Sequence, residues 1–125
     1  MSLNDKVAQV FHADQTSNFE MALGIAREAN VADVETEPCN DVGYAENYAR
    51  VATLRLLEAY AEYRLGNDDA LADYEIAQTR FGQCANATNA VFPATRTKCR
   101  RTKTVLQGYQ GDVALSLDAL KAYSQ

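Results

Sequence analysis

The sequence predicts an all-α protein, an up-down antiparallel bundle of four main helices with the N-terminal segment as a separate short fifth helix. Three observations predict it. Alanine is abundant while only two prolines and six glycines occur, a balance that favours helix. Apolar residues recur at intervals of three and four over long stretches, the period of a helix that buries one face. The polar, turn-forming stretches between them are short, and short connections between long helices make antiparallel neighbours. The 125 residues, 47% of them apolar, suit a single domain with a core of its own. Met1-Ser2-Leu3 reads either as the native start or as a leader standing in place of a removed signal sequence.

The first segment spans residues 4–30. Val7, Val10 and Phe11 share a helical face, which the polar run Asp14-Gln15-Thr16-Ser17-Asn18 interrupts. Ser17 and Glu20 have the spacing of a capping box, in which each side chain bonds the other residue's backbone N–H. A second helix is therefore expected from there to about Ala29, burying Phe19, Ala22, Leu23 and Ala26. Residues 31–41 read as an acidic connection through Asp33, Glu35 and Glu37, closed by Pro38, with Asp41 as the next N-cap.

From residue 42 to about 65, Val42, Ala45, Ala49, Ala52, Leu56, Ala59, Tyr60 and Tyr63 fall on one face. A thinner strip of Val51, Leu54, Ala61 and Leu65 lies on another side. It implies either a second set of neighbours within the bundle or a protein interface, for which Val51, Leu54 and Leu65 are the candidates. Gly66 and the Asn67-Asp68 pair then supply a C-cap followed by an N-cap. The next helix, about 69–85, buries Leu71, Tyr74, Ala77, Phe81 and Cys84. The last starts near Pro93, and its stripe of Cys99, Thr102, Leu106, Tyr109, Val113, Leu117 and Leu120 keeps phase through Gly108 and Gly111. One continuous helix to about Tyr123 is expected, although each glycine costs about 1 kcal/mol relative to alanine.

In this topology Cys39, Cys84 and Cys99 lie toward one end. Cys84 and Cys99 sit on the apolar stripes of consecutive antiparallel helices and flank their loop, so a disulfide between them is expected, with Cys39 as the alternative partner for either. Closing such a loop is worth roughly 3 kcal/mol in the chain-entropy model. The competing reading is three buried, reduced thiols acting as small hydrophobes. A disulfide implies a periplasmic or secreted protein; free thiols imply the cytoplasm. No C-x-x-C pair is present and the sole histidine, His12, belongs to the opposite end, so no metal site is expected. The inward-facing stripe position of Cys99 argues against a redox thiol despite the flanking cations. Asn86-Ala87-Thr88 is a glycosylation triplet in a predicted loop.

The net charge of -5 hides a partition. Residues 1–75 carry fifteen acids against five bases, whereas residues 76–111 carry six bases and no acid. Arg96, Lys98, Arg100, Arg101 and Lys103 crowd the start of the last helix, where the macrodipole favours acids instead. The economical reading is neutralisation by Asp33, Glu35, Glu37 and Asp41 at the same end; the functional one is a site for an anion or an acidic partner. Nucleic acid is disfavoured, because the chain as a whole is acidic and no aromatic residue interleaves the run.

Catalytic motifs are absent: there is no G-x-S-x-G, phosphate loop or H-E-x-x-H. His12 reads as a surface or boundary residue, Asp68/Asp69 as a capping turn and Asp73/Glu75 as a solvated face. Most of the seven tyrosines lie on helical stripes and read as core residues with boundary hydroxyls; the alternative has some of them lining a binding groove. No apolar run approaches the roughly 20 residues of a membrane span. These features predict a non-catalytic helical protein-interaction module of adaptor, inhibitor or immunity type, without a cofactor and with another protein as its partner. The alternative is a bundle that binds a small ligand or anion through residues 96–103. A homo-oligomer is compatible with either.

Overall fold

The computed structural model describes residues 3–29, 44–87 and 93–108. They form five helices: α1 (Leu3–Gln15), α2 (Phe19–Ala29), α3 (Tyr44–Leu65), α4 (Ala70–Asn86) and α5 (Pro93–Gly108). No strand occurs among the described residues. The expected acidic connection, the Asp41 cap, Cys39 and the continuation of the last helix past Gly108 lie outside them.

Two joints of like geometry shape the bundle. Gly66, at φ 75°, ends α3. Its N–H donates to the Tyr63 carbonyl at 3.2 Å and that of Asn67 to the Glu62 carbonyl at 2.8 Å, the paired bonds of a Schellman turn. The same pair closes α1, from Ser17 to Asp14 at 3.1 Å and from Asn18 to Ala13 at 2.8 Å, but here a serine holds the left-handed position at φ 59°. This corrects the capping-box expectation. Ser17 belongs to the preceding helix's terminus, and Asn18 caps α2, its Oδ1 accepting the Met21 N–H at 3.3 Å. At the start of α4, Asn67 Oδ1 accepts the Asp69 N–H at 2.9 Å, turning the chain tightly back along α3.

Helix α3 is the centre of the assembly. It packs along α4, meets α1 and α2, and touches α5 over a shorter stretch, while α5 lies mainly on α4. Its strip of Val51, Leu54 and Ala61 is fully buried, as are Ala52, Leu56, Leu57 and Ala59. Val51 and Leu54 are therefore core residues rather than parts of an interface. The second strip serves the bundle's own neighbours, and only Leu65 of the three candidates is exposed, at 43%. Small residues at Ala22, Ala26 and Ala29 of α2 let that helix approach closely. Phe19 meets Tyr60 edge-on at 5.8 Å, and the Arg64 guanidinium stacks over Phe19 at 4.9 Å.

Of the expected core residues, Phe19, Ala49 and Tyr60 are half-buried and two are exposed. Tyr63 and Leu71 are 51% and 54% exposed. Both flank the α3–α4 turn. On the α4–α5 side the expectation holds: Tyr74, Ala77, Phe81, Cys84, Cys99, Thr102 and Leu106 are all buried.

Candidate functional site

Helix α5 contains five cations and no acid within PATRTKCRRTKTVLQG. Cys99, Thr102 and Leu106 recur at helical spacing on its buried side, so the charged positions between them face outward or sideways. Lys98, Arg100 and Arg101 are exposed, while Arg96 and Lys103 are half-buried at the edges. Each edge residue has a structural task. Arg96 Nη1 donates to the Ala87 carbonyl at 3.2 Å, satisfying the chain end that leaves α4. Lys103 lies across Gly82, where a Cβ would come within 3.0 Å of its Nζ.

The face is held rigidly to the rest of the fold. A disulfide joins Cys84 of α4 to Cys99 of α5, with Cα atoms 5.8 Å apart. One helical turn after Cys99, Thr102 is buried and its hydroxyl donates back to the Lys98 carbonyl at 2.9 Å. Farther along, the buried Tyr74 hydroxyl donates to the Leu106 carbonyl. Among the described residues, no carboxylate pairs with Arg96, Lys98, Arg100, Arg101 or Lys103. The acidic residues 33, 35, 37 and 41, expected to neutralise them, lie outside the described residues. Asn86, the acceptor of the glycosylation triplet, is the exposed last residue of α4 rather than a loop residue.

A second charged assembly is internal, and nothing in the sequence reading singled it out. Glu58 and Glu62 stand one turn apart on α3, and Asp73 reaches them from α4, so that one oxygen of each lies within 4.8 Å of the others. Arg55 Nη1 spans two of the three, 2.9 Å from Glu58 and 3.0 Å from Asp73. Arg27 of α2 approaches Glu62 Oε2 at 3.4 Å. Asp73 is thus half-buried and paired, not part of a solvated face. Burial pushes the Glu58 carboxyl above its ordinary range, helped by Asp73 and opposed by Arg55 and Arg27. Glu62 is pushed up to about 8, first by burial, then by hydrogen bonding and repulsion from Asp73 and by repulsion from Glu58.

A signal for this assembly does exist in the sequence. Glu58 and Glu62 are like charges at i and i+4, a destabilising pair on a solvated helix, and they interrupt an otherwise apolar strip. Such a pair needs a countercharge from elsewhere in the fold.

The remaining candidate, His12, borders a groove of about 480 Å³ between α1 and α2, lined also by Gln9, Thr16, Asn18, Met21 and Ile25. Its lining offers neither a thiol nor a carboxylate to pair with the imidazole. No described helix is long and apolar enough to cross a membrane. No protein-family model, curated protein or solved structure matches this chain.

Proposed function

We propose that the protein is a non-catalytic helical interaction module, of adaptor or inhibitor type, that docks an acidic surface of a partner protein on the cationic face of α5. One contrast carries this reading. Arg27 and Arg55, in the acidic part of the chain, form ion pairs inside the fold. The five cations of α5 form none with any described residue, yet the helix that carries them is covalently fixed to α4. Like charges on one helix repel one another, and an acidic surface brought against them relieves that repulsion and steers encounter. The disulfide also supports an exported protein, periplasmic or secreted, since such bonds persist in oxidising compartments.

Calorimetric titration with an oligoglutamate peptide tests the reading, with inorganic phosphate as the comparison. The wild-type chain is expected to bind the peptide with an affinity that falls steeply as salt rises. The triple variant Lys98→Glu, Arg100→Glu, Arg101→Glu changes only exposed side chains and is expected to lose that binding while unfolding at the same temperature. Equal peptide binding by both proteins would refute the assignment. Saturable phosphate binding that excludes the peptide would move the function to a small-anion site on the same helix.

A further inference from the structure

Fully ionised, the internal assembly of Glu58, Glu62, Asp73, Arg27 and Arg55 holds three negative and two positive charges. An unbalanced buried charge is costly, so among the described groups one more positive charge is favoured at this point. Glu62 is 1% exposed, its Oε1 is buried and accepts no hydrogen bond, and its other oxygen faces Arg27. One oxygen of Asp73 lies within 4.8 Å of one of Glu62, and two carboxyl groups so placed attract one another only with a proton between them. A divalent cation would add two charges where one is lacking, and would have to displace Arg55 from both carboxylates that it spans.

We infer that Glu58, Glu62 and Asp73 form a proton switch at the α3–α4 seam: Glu62 holds a proton shared with Asp73 in the closed bundle, and losing it opens the seam. The charged groups that face it are Glu58 and Arg55 from α3, Asp73 from α4 and Arg27 from α2. Deprotonation sets Glu62 against Asp73 across the seam while strengthening its attraction to Arg27. The start of α4 is therefore the part that loosens and α2 stays docked.

The wild-type chain, labelled with carbon-13 at glutamate side chains, gives the first reading. The Glu62 carboxyl is expected to titrate at about 8, and titration near its ordinary 4.5 would overturn the proposal. Glu62→Gln, which fixes the neutral form, gives the second. At mildly alkaline pH, amide exchange over residues 70–77 is expected to be about tenfold faster in the wild type than in this variant at the same pH. Equal exchange in the two would also overturn it. A third outcome, calcium or manganese raising the wild-type unfolding temperature at alkaline pH but not that of Glu62→Gln, would replace the switch with a cation site. Should Glu62→Gln fail to fold, the wild-type titration decides alone.

Discussion

The Tyr74 hydroxyl in α4 donates to the Leu106 backbone carbonyl in α5 at 2.5 Å, and both side chains are buried. This bond links two helices that the disulfide already joins nearer the other end of their contact. It makes a side-chain hydroxyl the partner of a main-chain acceptor that is closed off from water. Tyr74→Phe keeps the ring and removes the donor. The expected cost is about 1–2 kcal/mol in urea denaturation, the worth of the bond plus the desolvation of the abandoned carbonyl. A cost near zero would mean that water reaches Leu106.

Breaking the covalent link should cost more. The disulfide spans a sequence separation of 15, for which loop-closure entropy gives about 3 kcal/mol. The double variant Cys84→Ala, Cys99→Ala is expected to lose about that much stability in denaturant titration. Amide exchange should rise first in α5, whose outward face carries mostly charged and polar residues. Intact-mass measurement before and after reduction counts the bond directly.

The joint between α1 and α2 is expected to tolerate improvement. Ser17 holds φ 59°, a region that costs a residue with a Cβ roughly 1–2 kcal/mol and glycine little. Glycine already occupies the matching position at residue 66. Ser17→Gly should raise stability by about 0.5–1 kcal/mol after the greater entropy of the unfolded glycine chain is offset. An unchanged or lower melting temperature would show that the serine hydroxyl contributes at this turn.

The pH dependence of stability has a defined sign. The folded-state pKa of Glu62 is raised from 4.5 to about 8, so between those values the folded chain binds a proton that the unfolded chain has released. The stability this group contributes is fully present below 4.5 and is lost as pH rises through about 8. The decline approaches about 1.4 kcal/mol per pH unit for one proton. Thermal unfolding across this window should show it in the wild type and much less of it in Glu62→Gln.

Local sequence fixes a good part of this architecture. The periodicity at Tyr74, Ala77, Phe81 and Cys84, and again at Cys99, Thr102 and Leu106, identifies two helices and their buried faces. Because both faces turn inward across a short connection, the Cys84–Cys99 pairing is legible as well. The break between α1 and α2 is legible from its polar run, although the cap lies at Asn18, one residue after the Ser17 that the motif suggested. A capping-box spacing says which residues could bond, whereas the preceding Schellman turn decides which of them is still available.

What only the tertiary structure decides is which helix face meets which neighbour. Val51 and Leu54 have the pattern of a second apolar strip, and nothing local distinguishes a buried strip from a docking surface. Their burial follows from α3 being packed from several sides. The same fact makes Glu58 and Glu62 members of a buried charged assembly, completed by Asp73 and Arg27 from other helices. The sequence by itself determined the helices, the placement of Cys84 and Cys99 on facing stripes and the separation of charge along the chain, because each follows from spacing within one or two segments. The tertiary structure alone decided which charges are paired inside and which face outward, because that depends on residues far apart in sequence meeting across helix seams.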